Sequence, residues 1–270
     1  MAARTITLGL LLFLLAASQA QEIMEGEEQQ SNVTGTMAVG DTILMMNSGS
    51  PEFLIEGDVL ISHKRSAMKC FREPYSCLWP MSDNGKVEIP FTISNKYAGD
   101  EVAAILKALE GFHSETCIRF IPRKTQRMYL QFKSLMGCFS AVGRVGERQV
   151  ISLMSAGCVN NAVIQHELMH ALGFYHEHTR SDRDQHIQIN WENISPDYRH
   201  NFRKRDTNNL GLPYDYRSLT HYGRRAFSTV WKDTITPIPD ASVRIGSGNG
   251  LSGLDIQKIN KLYKCRSPRF

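Results

Sequence analysis

Apolar positions recur along this chain in two rhythms that together predict an α+β fold. Val87 to Ile93, Cys117 to Ile121, Tyr129 to Phe132 and Gln149 to Leu153 are short runs rich in β-branched and aromatic residues, and they predict four strands. Pro90 marks an edge within the first, because proline cannot donate to a ladder. Between the first two runs the spacing becomes helical. Val102, Ile105, Leu106, Leu109 and Phe112 form one stripe behind Asp100, which can cap the helix. A second helix runs from about Asn161 to Leu172, with Val163, Ile164, Leu168, Met169 and Leu172 available for packing. A last one opens at Ser252-Gly253-Leu254-Asp255, which has the form of a capping box, and sets Leu254, Ile259, Leu262 and Tyr263 on one side. From Trp191 to Gly250 the rhythm gives way to Asn, Asp, Gly and Pro, which predicts an irregular region. A sheet lobe followed by an irregular lobe is a common way to form a peptide-length cleft.

The ends change the picture. Arg4, the apolar run Leu8 to Ala17 and the small-x-small site Ser18-Gln19-Ala20 form a signal peptide over residues 1–20, too short to span a membrane, and no later segment approaches eighteen apolar residues. A secreted protein is expected, where disulfides persist, and its six cysteines suit that compartment while allowing fifteen pairings. Residues 21–65 are acidic, lack cysteine and end in the dibasic Lys64-Arg65, which predicts a propeptide removed before Ser66. Without Arg4, Lys64, Arg65 and the eight propeptide carboxylates, the net charge rises from +4 to +9 for residues 66–270. That charge is scattered rather than striped with aromatics, so no nucleic-acid partner is expected. Asn32-Val33-Thr34 and Asn193-Ile194-Ser195 are glycosylation sequons, the second weakened by Pro196. Only five residues follow Cys265, so no further module and a monomer are expected.

The helix from Asn161 carries candidate chemistry on its polar positions. His166 and His170 are four apart and share one face, so two imidazole nitrogens can meet one metal ion. Glu167 stands beside them, where its carboxylate can reach a metal-activated water without being a ligand, which suits a general base. Gly173 readily takes the left-handed conformation that reverses a chain, and the reversal can bring His176 back as a third ligand. Three protein ligands and an open fourth position are the catalytic zinc pattern, whereas structural sites are closed by four groups, usually including cysteine. The plain alternative is a set of solvated or core histidines with Glu167 a surface acid. Three histidines, a glutamate and a glycine in register favour the metal.

The stretch HELMHALGFYHEHTRSDRD, from His166 to Asp184, resembles the zinc signature of the astacin family within the metzincins. The likeness runs from about Cys70 to Cys265 and includes TCIRFIPR at Thr116 to Arg123 and YDYRSLTHYGRRAFS at Tyr214 to Ser228. AMKCFREPYSCLW, which holds Cys70 and Cys77, is similar to the six-cysteine fish astacins, a group that includes hatching enzymes and nephrosin. The resemblance implies a two-lobed metzincin-type zinc protease domain over residues 66–270, with a twisted sheet and helices in the first lobe. It also implies one Zn2+ per chain held by His166, His170 and His176, with Glu167 activating water. Tyr222 in the resembling segment would stabilise the developing oxyanion, a task for a positioned hydrogen-bond donor. The implied disulfides are Cys70 with Cys77, Cys117 with Cys265 and Cys138 with Cys158.

Two further features follow from the resemblance. Phe53-Leu54-Ile55-Glu56-Gly57-Asp58 is similar to the family's F-x-G-D inhibitory motif with two extra residues, so Asp58 is the implied zymogen switch, a carboxylate on zinc until cleavage removes it. The family tethers its new amino terminus near the glutamate after the third histidine, here Glu177. One departure stands out. Ser218-Leu219-Thr220-His221-Tyr222 has threonine where the family turn has methionine, and a buried hydroxyl without a partner costs about 1–3 kcal/mol. The expected activity is hydrolysis of internal peptide bonds of extracellular proteins. A catalytically impaired binding protein, motivated by Thr220, and a metal-free structural protein of the matrix or egg envelope are the other readings.

Overall fold

A computed structural model describes residues 37–61 and 77–265. The expected signal peptide, the Lys64-Arg65 processing site with Ser66, Cys70 and the Asn32 sequon lie outside the described residues.

The strand-forming runs become β3 (Val87–Ile93), β4 (Ile118–Pro122), β5 (Tyr129–Lys133) and β7 (Arg148–Leu153), joined by the short β6 (Cys138–Ser140). With β1 (Leu54–Ile55) and β2 (Val59–Leu60) of the acidic segment they form one seven-stranded sheet in the order β1-β2-β6-β7-β5-β3-β4. β3 runs parallel to β4 and β5, and β5 parallel to β7, while β6 is antiparallel to β7. Ile89, Leu130, Phe132, Ile151 and Leu153 are fully buried in one core with Ile105 of α2 (Gly99–Glu110) and Ile164, Leu168 and Met169 of α3 (Asn161–Ala171). Each such side chain contributes about 1.5–3 kcal/mol of apolar transfer.

Three local expectations are corrected. Pro90 does not mark an edge, since β3 has neighbours on both sides. Val87 N–H and Phe91 C=O turn toward β4, so the even-numbered positions turn toward β5, whose ladder begins only at Phe91. The missing donor of Pro90 therefore falls just before that ladder starts. Asp100 lies in the first turn of α2 rather than at its cap; Glu101 Oε2 instead accepts the Ala98 N–H at 2.8 Å. Leu106 is 46 % exposed, because one residue of helical rotation past Ile105 turns it off the buried stripe. Phe112 lies beyond the helix yet is fully buried, edge-on to Phe120 at 5.5 Å.

Beyond α3 the chain is irregular. A two-stranded antiparallel sheet, β8 (Ile187–Ile189) with β9 (Ile235–Pro237), and short 3-10 turns surround a second core of Ile187, Ile194, Phe202, Tyr214, Tyr222 and Ile235. The chain then returns to the first core as α4 (Gly253–Leu262). Ser252 Oγ accepts the Asp255 N–H at 2.9 Å and Asp255 accepts the Ser252 N–H at 3.1 Å, a reciprocal cap. Disulfides join Cys117 to Cys265 and Cys138 to Cys158, and Cys77 is also disulfide-bonded.

The described part of the acidic segment, residues 37–61, is more regular than its sequence suggests. α1 (Val39–Asn47) leads into the β1–β2 hairpin, whose turn puts Glu56 at φ 50° and Gly57 at φ 78°. β2 borrows the free edge of β6 in parallel, pairing Val59 with Ser140, and Ser140 N–H donates to the Asp58 carbonyl at 3.1 Å. Asn47 fastens the arrangement: its Nδ2 donates to Gly57 and Cys138 carbonyls at 2.8 and 2.7 Å, and its Oδ1 accepts the Cys138 N–H at 2.7 Å.

Candidate metal centre

α3 begins where the Asn160 side chain accepts the Val163 N–H at 3.1 Å, and from Val163 onward every residue to its end is buried. Burial on all sides is needed here, because the first core takes the apolar residues while His166, Glu167 and His170 lie toward Asp58. At the helix end Gly173 adopts φ 107°, and its N–H donates to the His170 carbonyl at 2.8 Å. That turn brings His176 beside the helix, with its ring centroid 5.2 Å from His166 and 4.7 Å from His170. A Cβ at Gly173 would stand 3.2 Å from Leu78 Cδ2 and would be held at a positive φ. Gly173→Ala is expected to lower unfolding stability by about 1–3 kcal/mol and to weaken metal retention. An unchanged denaturant midpoint would show that the turn tolerates a side chain.

The three rings converge on one carboxylate. Asp58 Oδ2 lies 3.0 Å from His166 Nε2 and 3.2 Å from His176 Nε2, and Asp58 Oδ1 lies 3.6 Å from His170 Nε2. One ligand atom from each of these four buried residues falls within 4.8 Å of the others. The far nitrogens fix the tautomers. His166 Nδ1 meets the Leu219 carbonyl at 2.7 Å, His170 Nδ1 the Phe174 carbonyl at 2.7 Å, and His176 Nδ1 the Glu56 carboxylate at 2.9 Å. An acceptor at each Nδ1 places the proton there and turns the Nε2 lone pair inward.

This donor set fits a zinc ion. His176 Nε2, Asp58 Oδ1 and both oxygens of Glu167 are buried without a hydrogen-bond partner among the described residues. With its proton on Nδ1, His176 presents a lone pair to a carboxylate oxygen at 3.2 Å, an arrangement that calls for a cation between them. Three imidazole nitrogens and one carboxylate oxygen suit four-coordinate zinc. Burial raises the Glu167 pKa well above the ordinary carboxylate range, and the nearby Asp58 charge raises it further.

Tyr222 closes the site from the second lobe. Its hydroxyl donates to the Glu56 carbonyl, its ring stacks on His178 at 3.8 Å, and its centroid is 4.7 Å from that of His176. Burial, aided by the charges of Asp58 and Glu56, pushes its pKa well up, so the hydroxyl keeps its proton and remains a donor.

The expectation that the Thr220 hydroxyl could be left unsatisfied is corrected. Thr220 Oγ1 lies 3.0 Å from Ser218 Oγ, which donates onward to Asp255 Oδ1 at 2.7 Å, while Thr220 C=O accepts the Glu177 N–H at 3.1 Å. Asp255 also accepts the Leu219 N–H at 3.0 Å, so the first turn of α4 braces the turn whose carbonyl orients His166. Glu177 is engaged from inside the fold: it accepts from Lys258 Nζ at 2.7 Å, Arg180 Nη1 at 3.0 Å and Asp215 N at 2.8 Å. Burial opposes the Lys258 ammonium, but Glu177 and Asp255 outweigh it and raise its pKa.

Sequence reasoning missed Glu56, Asn201, Arg205 and His178. Glu56 was adjacent to the Gly57-Asp58 signal and could have been found there. Arg205, whose Nε lies 2.5 Å from Glu56 Oε1 across 149 residues, had no local signal.

Comparison with known proteins places this geometry in a family. The peptidase family described as Astacin matches residues 78–264. Low choriolytic enzyme of Oryzias latipes is 51% identical over 262 residues, covering 95% of this chain and 97% of that protein. The astacin-like metalloendopeptidase of Coturnix japonica is 50% identical over 225 residues, covering 83% of this chain and 54% of that one. Among solved structures, high choriolytic enzyme 1, a hatching enzyme zinc-protease from Oryzias latipes, superposes with a TM-score of 0.71 at 51% identity, covering 74% of this chain and all of that one. A match this long at this identity carries both fold and chemistry, and the chain belongs to the astacin family of zinc metalloendopeptidases.

Proposed function

We propose that the chain is a secreted zymogen, with a signal peptide at 1–20, a prosegment at 21–65 and a catalytic domain at 66–270 that acts as a monomer on internal peptide bonds of extracellular proteins. The single observation that carries this reading is the Asp58 carboxylate standing where the Nε2 atoms of His166, His170 and His176 converge. In the latent chain the four residues would hold one zinc ion, and in the processed chain the three histidines would hold it with one position open. When bound, zinc lowers the pKa of a water toward about 7 and polarises a carbonyl oxygen.

The chain's own residues do the rest. Glu167, buried and without another partner among the described residues, accepts the proton of the attacking water and passes it to the leaving amine. Tyr222 donates its hydroxyl to the oxyanion once Glu56 no longer occupies it. Leu219 and Phe174 carbonyls hold two of the imidazoles in orientation. The satisfied Thr220 hydroxyl and the likeness to named metalloendopeptidases both weigh against the impaired binding protein. Similarity to choriolytic enzymes extends the proposal to an egg-envelope protein as substrate. Asn193 is half-buried and its Nδ2 donates to the Asp233 carbonyl at 2.8 Å, so we assign no glycan there.

The test is proteolysis of an unstructured protein before and after cleavage at Lys64-Arg65, with metal analysis. The expected result is no cutting by the intact chain and cutting by the processed chain that a chelator abolishes and zinc restores. Bound zinc without cutting would replace this reading with the binding protein.

A further inference from the structure

Four rings surround Tyr222, and one of them is laid flat against it. His176, Phe202 and Phe227 meet the phenol edge-on or tilted, at interplanar angles of 60°, 82° and 54°. Among the described residues only His178 is stacked on it, with centroids 3.8 Å apart and planes 27° apart. The His178 ring is fully buried, and its own plane is fixed from two directions: Nε2–H donates to the Asn201 carbonyl at 3.1 Å, and Phe202 packs edge-on at 5.5 Å. With the proton on Nε2 the lone pair is on Nδ1, which is buried without a hydrogen-bond partner among the described residues. An unpaired buried acceptor is costly, and an apolar ring would offer the same face without one. Space-filling therefore does not account for the imidazole. What it adds is a ring N–H that ties the plane of the stack to the backbone of Asn201.

These partners of His178 all lie outside residues 37–61, so the stack persists when that segment leaves. What leaves is the Glu56 carbonyl, which accepts the Tyr222 hydroxyl in the latent chain. Released from that bond, the hydroxyl moves only as the side-chain torsions of Tyr222 move its ring. A donor stabilises charge only when it is held where the charge develops, and a misplacement of about 1 Å can cost about 10²-fold in rate. We propose that His178 is a positioning residue of the reaction, an anchored platform that holds the plane of Tyr222 so that its freed hydroxyl meets the developing oxyanion. This rests on the peptidase reading above and on Tyr222 as its oxyanion donor. His178 acts through Tyr222 and makes no contact with the reacting atoms. Its ring centroid is 5.5 Å from that of His176, so bound metal is measured beside turnover.

The full chain is processed at Lys64-Arg65, loaded with zinc and assayed on an amidated peptide, with kcat expressed per bound zinc. His178→Leu and His178→Phe are each made alone and together with Tyr222→Phe. Because Tyr222→Phe keeps the ring that packs on residue 178 and removes only the hydroxyl, a loss caused by packing is the same in both backgrounds. Tyr222→Phe alone is expected to lower kcat about 10²-fold. His178→Leu is expected to lower kcat about tenfold with KM changed by less than about twofold, since the hydroxyl bond is made only in the transition state. On the Tyr222→Phe background the same change is expected to cost less than about twofold. His178→Phe, which restores a flat face without the Asn201 anchor, is expected to recover kcat to about threefold below the unaltered enzyme. Full turnover in His178→Leu, equal losses in both backgrounds, a loss confined to KM, or a His178→Phe enzyme no better than His178→Leu would overturn the positioning role. Unchanged kcat in Tyr222→Phe would instead remove Tyr222 as the donor, and failure of the unaltered processed chain to cut would overturn the peptidase reading itself.

Discussion

Glu167→Gln is expected to lower kcat of the processed, zinc-loaded protein by about 10²–10⁴-fold, the range that a positioned general base supplies. The carboxylate is fully buried beside His166, and both of its oxygens lack hydrogen-bond partners among the described residues. Nothing in the described fold hydrogen-bonds either of its oxygens. Glutamine has nearly the same shape without the charge or the basic oxygen. Because a buried, unpaired carboxylate is itself costly, the substitution should not lower the unfolding midpoint, and zinc content should stay unchanged. Kinetics, metal analysis and thermal unfolding on one preparation separate the outcomes. Normal turnover would remove Glu167 from the mechanism, whereas a collapse of zinc content would make it a structural residue.

Asp58→Ala is expected to release activity in a chain that still carries its prosegment, with Lys64 and Arg65 replaced so that processing cannot occur. Asp58 is paired with three buried imidazoles, and removing one partner of a buried charge cluster typically costs about 3–5 kcal/mol. If that energy holds the prosegment in the groove, the open fraction rises by roughly two orders of magnitude or more. Activity should remain below that of the processed protein, because the remaining contacts persist: Asn47 on Gly57 and Cys138, and Glu56 on His176, Arg205 and Asn201. Hydrolysis of a protein substrate by the uncleaved variant is the measurement. Latency equal to that of the unaltered chain would mean that strand pairing and Glu56, rather than Asp58, keep the groove closed.

Much of this arrangement was legible in the chain because it depends on short separations. His166, Glu167 and His170 share a helix face through their spacing alone, and Gly173 announces the turn that returns His176. The reciprocal cap of α4 was equally local, with donor and acceptor three residues apart. The expectations that needed correction were also local readings of positions that distant elements decide. Pro90 is acceptable inside the sheet because the register of β5 begins one residue later, which no property of β3 reveals. Thr220 is accommodated because Ser218 hands its hydrogen bond to Asp255, on a helix that begins more than thirty residues further along.

Residue types at fixed short intervals were enough to specify the metal-binding constellation, the candidate base and the succession of a sheet lobe and an irregular lobe, since each of these rests on periodicity within one stretch of chain. What surrounds them came from folding. Packing set the Glu56 carboxylate between His176 and Arg205, placed Tyr222 against His178, and made the hairpin of a weakly periodic acidic segment into two strands of the sheet. A hydrogen bond or ion pair across 149 residues leaves no periodicity in the chain, and it exists only once the fold has brought its partners together.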